Sequence, residues 1–366
     1  MNNTVDLDIQ SLPKIKQKCV QAYNENKEAL LFELNHIINE NKALKESNKE
    51  VAHQIVYDLH RYHVSLLSSV LVLNNYELLA QSLPWEYRAY SNQGLKYEYF
   101  LHIYHSWKKC INNVFDEDCS QYFILIYDWL IENHKTIIEL SKEIPTNINN
   151  PLYEKEIKLF LNKLLEVNHR SILEMSKDFI SQQKSITELF TNIMQPALVE
   201  IGLLWENGKI NSAKEHIATA IITKTLSSLY SNQPYVKTSR GIAVVTAAPN
   251  EFHELGALAV AHALEDDGWN VHYLGANTPS RDLISLLRET KADMLAISAI
   301  VPFNFKDIGE LIDDIKNDSV LKNIKIMFGG RAFDTMPKIS KYLGADAHLT
   351  NIDEAINKAR EWQCNL

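Results

Sequence analysis

Residues 241–268 read GIAVVTAAPNEFHELGALAVAHALEDDG, and this stretch decides the fold. An apolar run from Ile242 to Ala248 stops at Pro249 and Asn250, and a helical pattern opens at Leu255. A strand that feeds a helix through a short polar loop is half of a βα unit. Four later apolar runs repeat the theme: Val271 to Leu274, Met294 to Ile297, Ile324 to Phe328 and Ala347 to Leu349. Helical patterns of about 10–15 residues separate them, the spacing of parallel strands with crossover helices. The sequence therefore predicts a doubly wound, Rossmann-like parallel sheet of five strands over 239–366. Ligands of such sheets sit outside the carboxyl ends of the strands, where the strand order reverses.

Upstream the period is helical. Phe160, Leu164 and Leu165 lead to Ile172 and Met175, then to Leu189 and Ile193. Pro196 is expected to start a helix that runs to Trp205, with Gly208 as its break and Ser212 to Tyr230 as the last helix. Residues 152–232 thus read as a four-helix bundle. Before them, Ile144-Pro-Thr-Asn-Ile-Asn-Asn-Pro151 has the turn-forming composition of a linker.

Residues 51–143 are helical and rich in aromatics, and predict an all-α, globin-like domain. His53, His60 and His63 fall on one helix, Pro84 to Tyr90 on a turn and short helix, and Tyr97 to Ile111 and Tyr122 to Leu140 on two more. Residues 1–50 are polar, with a stripe at Leu30, Leu34, Ile37, Ile38 and Leu44. They read as a lead helix or a segment that packs in a dimer, frayed over the first ten residues.

With 46% apolar and 23% charged residues, the 366-residue chain has the composition of soluble multi-domain proteins. The net charge of −9, without a Lys/Arg block, argues against nucleic acid as a direct partner. No run of 18 apolar residues predicts a membrane span. Cys19, Cys110, Cys119 and Cys364 are scattered, which predicts reduced thiols in a cytoplasmic protein.

His253 lies in the loop after the first strand, where a side chain can reach a ligand. A neutral imidazole binds transition metals well, and its second nitrogen needs a partner such as Glu251 or Glu254. Gly256 opens the next helix and lets a bulky ligand approach the backbone. Ser298 ends the third strand, and Gly329 and Gly330 end the fourth, so three strand ends should lie side by side. An E-x-H-x-x-G string alone is weak, and an exposed loop histidine would be its plainer meaning.

Together these residues resemble the B12-binding family, whose pattern is Asp-x-His-x-x-Gly, then Ser-x-Leu, then Gly-Gly. The histidine, serine and double glycine match, and Glu251 stands where Asp is commoner. The resemblance spans about residues 153–366. It implies a cobalamin held with His253 as the lower ligand of its cobalt. The extra methylene of Glu251 puts its hydrogen bond to His253 in question, though not the ligation.

The bundle segment PALVEIGLLWENGKINSAKEHIATAI, 196–221, sets Trp205 ten residues ahead of Glu215 and His216. At these three residues it resembles the cap of the light-sensing adenosylcobalamin repressors. The resemblance implies that Trp205 shelters an adenosyl group and that Glu215 accepts hydrogen bonds from its ribose hydroxyls. The plainer reading is a core tryptophan beside an ordinary helix surface, and methyl-carrier caps also retain a Glu-His pair. Where the repressors have a histidine after the tryptophan, this chain has Glu206.

The N-terminal domain more weakly resembles that of photocobilins, in which a bilin-binding domain accompanies the cobalamin module. His60, His63, His102, His105, Trp85, Tyr87, Arg88, Tyr90 and Trp107 would then line a site for biliverdin. A helical dimerisation domain with core aromatics is the alternative.

The combined expectation is a cytoplasmic, homo-oligomeric light sensor without enzyme activity, acting on a separate downstream protein. Its rivals are a corrinoid methyl carrier working with a methyltransferase, and an interaction module that has lost the cofactor.

Overall fold

The computed structural model describes residues 7–41, 44–45, 51–143, 151–233, 237 and 240–364. The chain forms two compact units. The first takes in residues 1–146 and 204–209, the second 147–203 and 210–366. The linker expected at 144–151 lies, apart from Pro151, outside the described residues.

The first unit is helical throughout its described residues, with helices Gln17–Glu25, Lys27–Glu40, His53–Leu73, Tyr76–Asn92, Tyr97–Val114, Glu117–Glu132 and His134–Ser141. Its core is aromatic: Tyr87 stacks on Phe100 at 4.0 Å, and Trp107 lies parallel to Tyr127 at 6.0 Å. Four expectations are corrected here. Residues 17–40 are not a separate lead helix, because Leu30, Leu31, Leu34 and Ile38 are buried in this core. Residues 7 and 8 are not frayed: Leu7 is buried, and the Asp8 carbonyl accepts from Trp129 Nε1 at 2.7 Å. Pro84 sits inside the helix Tyr76–Asn92 instead of starting a turn, so burial of that helix outweighs one lost backbone hydrogen bond. Cys19 and Cys119 are not free thiols. The helices bring their Cα atoms to 5.3 Å, and they form a disulfide across 100 residues. Cys110 and Cys364 are free.

The second unit joins a helical bundle to a sheet. Helices Glu154–Leu165 and His169–Ser181 lead to a long run, Ile186–Leu189, a π-turn Phe190–Met194, and Gln195–Glu206, whose last turn belongs to the first unit. The bundle closes with Ser212–Tyr230. A capping box of Ser185 and Glu188 starts the third helix. Pro196 stands, as expected, at the start of a helix, as the second residue of Gln195–Glu206. It follows a π-turn, whose wider ring relieves the clash a proline ring makes with the carbonyl four residues back.

The strands are β1 Ile242–Ala247, β2 Asn270–Tyr273, β3 Met294–Ser298, β4 Lys325–Gly329 and β5 Ala347–Leu349, all parallel, in the order β2-β1-β3-β4-β5. The order reverses between β1 and β3, which is where ligands of doubly wound sheets bind. Asp293 and Asp346 brace the opposite end, accepting from the backbone of Ile242 and Ile326, both at 2.8 Å. Bundle and sheet share one core, in which Phe160, Ile172, Leu189, Ile193 and Ile222 meet Leu255, Leu258 and Ala259 of the helix after β1. No described helix is long and apolar enough to cross a membrane.

Candidate functional site

The carboxyl ends of the three central strands are in register: Ala247 pairs with Ser298, and Ser298 with Gly329. The loop after β1 leaves from this row. It is pinned at both sides, by Glu251 N donating to the Ala248 carbonyl at 3.0 Å and Asn277 N donating to the Glu251 carbonyl at 3.0 Å.

Glu251 is the buried pivot of the loop, with 1% of its surface exposed. One carboxylate oxygen, Oε2, accepts from the backbone of Ile300 at 2.9 Å and Val301 at 3.2 Å, and from Asn304 Nδ2 at 3.4 Å. The other, Oε1, lies 2.5 Å from His253 Nδ1 and accepts from the His253 backbone at 3.0 Å. The question left by the extra methylene is thus answered: the longer side chain still meets the imidazole while its other oxygen is tied to the β3 loop. Burial alone would raise its pKa, but the bonds from His253 and Ile300 outweigh that and hold the carboxyl below its usual range.

The His253 side chain is 58% exposed. Its Nδ1 is taken by Glu251, and Nε2 has no hydrogen-bond partner among the described residues. The bond to Glu251 raises its pKa against the cost of burial, and Glu215 adds to the rise. Glu215, on the helix Ser212–Tyr230, is therefore within electrostatic reach of the loop histidine. Its carboxylate also meets His216 Nδ1 at 2.6 Å and accepts from Thr219 Oγ1 at 3.1 Å. His216 itself is exposed.

The glycines fit where backbone and side chain crowd. A Cβ on Gly256 would lie 3.4 Å from Ser298 Oγ, so the helix start and the end of β3 are in close approach. Gly330 has φ +98°, and a Cβ there would stand 2.4 Å from the Ala299 carbonyl oxygen. Gly329, packed against the Leu349 carbonyl, has little more room.

Eight of the nine expected site residues, Glu215, His216, Glu251, His253, Gly256, Ser298, Gly329 and Gly330, fall in the second unit. Trp205 does not. It belongs to the first unit with residues 204–209, half-buried, its carbonyl accepting from Gly208 N at 2.9 Å. Asn304 and the backbone of Ile300 and Val301 were missed by sequence reasoning. They act on the histidine only through Glu251, and no local pattern marks them.

In the first unit, His102 and His105 are exposed, and several of the other expected bilin residues have partners within the helices. Arg88 pairs with Glu206 at 3.3 Å and donates to the Glu143 carbonyl at 3.0 Å. His60 shares a 3.0 Å hydrogen bond with Tyr99. His63 differs: it is buried 3.7 Å from Glu86, and among the described residues neither of its ring nitrogens has a hydrogen-bond partner.

Among the described residues no group of three or more His, Cys, Asp or Glu could hold a bare metal ion. The donor set suits instead a metal already held by a macrocycle, to which the protein adds one imidazole. His253, with one nitrogen oriented and the other exposed, fits that requirement.

Two family models, each described as a B12 binding domain, match residues 157–230 and 241–357, so the chain carries B12-binding domains. The dimethylamine corrinoid protein 3 of Methanosarcina acetivorans is 29% identical over 175 residues, 48% of this chain and 81% of that protein. The HTH-type transcriptional repressor CarH of Myxococcus xanthus is 26% identical over 143 residues, 39% of this chain and 47% of the repressor. The structure of the Methanosarcina barkeri monomethylamine corrinoid protein superposes with a TM-score of 0.51 at 18% identity, covering 57% of this chain and 99% of that one. That likeness concerns the fold. The corrinoid protein matches over more of both lengths than the repressor does, and its name describes a corrinoid protein, not an enzyme.

Proposed function

We propose that the second unit binds a cobalamin, with His253 as the axial imidazole and Glu251 fixing its tautomer. Ser298, Gly256, Gly329 and Gly330 would form the slot for the nucleotide tail, and Glu215 and His216 would face the other side. The observation that carries this reading is the Glu251–His253 contact, which orients one ring nitrogen and leaves the other for a metal. The test is the absorption spectrum on adding hydroxocobalamin to the wild type and to His253→Ala. A spectrum of axial imidazole ligation that the variant lacks supports the assignment, and identical spectra overturn it.

The relatives favour use of the cofactor as a methyl carrier that works with a separate methyltransferase. Bound cobalamin supplies a cobalt–carbon bond that can be broken by nucleophiles or by light. In a carrier, the residues named here would bind and orient it while a partner reaches its upper face.

A second reading, an adenosylcobalamin light sensor, is favoured by one specific feature. The residue after Trp205 is built into a helical unit of which residues 1–146 lie outside the matches to both B12-binding family models. Trp205 would shelter the adenosyl group, and its displacement on illumination would be the output, read by a change of assembly or by a partner. Biliverdin in the first unit belongs to this reading. The buried ring of His63, 3.7 Å from Glu86 and without a hydrogen bond among the described residues, supports it, whereas Arg88, paired with Glu206, is not free to hold propionates. Size-exclusion chromatography of protein loaded with adenosylcobalamin, in darkness and after green light, separates the readings: a sensor changes assembly on illumination and a carrier does not.

A further inference from the structure

The segment that follows Trp205 is received by a built socket in the first unit. Glu206 is 5% exposed, and its carboxylate accepts from Trp85 Nε1 at 2.9 Å and pairs with Arg88 at 3.3 Å. Its backbone carbonyl accepts from Asn92 Nδ2 at 2.8 Å. Two residues on, Gly208 takes φ +65°, and a Cβ there would stand 2.7 Å from the Asn92 carbonyl oxygen. Trp85, Arg88 and Asn92 all come from the helix Tyr76–Asn92, so one helix holds one turn by side chain, carbonyl and backbone contact.

Such a contact is costly to assemble and to break. A buried ion pair stabilises little over an apolar pair, whereas removing one partner strands the other charge away from water. Buried pairs of this kind are best suited to fixing one arrangement against alternatives. Here the arrangement fixed is that of the residue next to Trp205, at the end of the helix Gln195–Glu206.

We propose that the Glu206 socket is a coupling latch, by which corrinoid occupancy is transmitted along the turn 204–209 to the helix Tyr76–Asn92. This rests on the corrinoid reading above. The first unit would then report the state of the cofactor without contributing a ligand to it. Movement of the turn has to carry the helix with it or break the ion pair, so the response is two-state.

Amide hydrogen exchange of the full chain tests this, comparing cofactor-free and hydroxocobalamin-saturated protein. In the wild type, corrinoid should change exchange across 76–92 by tenfold or more. The double variant Arg88→Met/Glu206→Leu removes both charges together and should keep the wild-type corrinoid spectrum while losing that response. Glu206→Gln, which keeps an acceptor for Trp85, should retain part of it. The same response in the wild type and the double variant overturns the latch, as does a saturated wild type that shows no change at 76–92. Absence of any cobalamin spectrum in the wild type would instead overturn the corrinoid reading, and the latch with it.

Discussion

Glu251 contacts His253 twice with a single oxygen, at the ring Nδ1 and at the backbone nitrogen, while its second oxygen is held by the loop after β3. The imidazole is therefore oriented from a neighbouring strand and not from its own loop alone. Removing such an outer partner commonly costs 10–100-fold in metal affinity. Glu251→Gln should weaken hydroxocobalamin binding by about that factor, as read by titration of the visible spectrum. Glu251→Asp should lose more, because the shorter side chain cannot reach Ile300 and His253 together. If the aspartate variant binds as tightly as wild type, the bridging role assigned to the extra methylene is wrong.

Two glycines of the second unit should respond in opposite directions to one methyl group. Gly330→Ala meets a left-handed backbone and the Ala299 carbonyl, and should cost about 1–3 kcal/mol or more. Gly202→Ala adds a Cβ within the helix Gln195–Glu206 to open space, and should stabilise by roughly 0.5–1 kcal/mol. Urea titration of the cofactor-free proteins measures both.

How much of this was legible in the sequence follows the range of the contacts involved. The five strands and their helices were legible because alternating apolar runs and helical stripes are local patterns. The row Ala247, Ser298 and Gly329 followed from strand order. Arg88 could not be paired with Glu206, or Cys19 with Cys119, since neither partner leaves any mark near the other in sequence. Glu251 was found as a partner of His253, but its hold on Ile300, Val301 and Asn304 required the fold.

The first unit should lose stability in acid through His60. Burial, with His63 adding to it, lowers its pKa from the ordinary 6.5 to about 3. The unfolded chain therefore binds a proton below about pH 6.5 that the folded chain refuses until about pH 3. Above this window His60 contributes nothing to the pH dependence. Within it, stability falls as pH falls, by about 1.4 kcal/mol per pH unit for this one group. His60→Gln, which keeps a hydrogen-bonding group for Tyr99, should flatten the acid limb of stability measured by near-ultraviolet dichroism. An acid limb of unchanged slope would place the sensitivity elsewhere.

The last prediction concerns the light response, where Glu206 replaces the histidine of the repressors. Its carboxylate is buried and engaged by Arg88 and Trp85, so it is not available as a ligand. His216 is exposed, and Glu215 takes its Nδ1, which leaves Nε2 outward. If illumination of the adenosylcobalamin-loaded protein gives a product with two imidazoles, His216 is the first candidate for the second. The expected outcome is that His216→Ala and wild type give the same product with one imidazole, because Glu215 holds the ring in its present position. That product should exchange readily, so the response should reverse when fresh adenosylcobalamin is added in darkness. A two-imidazole spectrum in the wild type that disappears in His216→Ala would show that the Glu215 contact opens on illumination. The same spectrum in both proteins would require a histidine from the first unit.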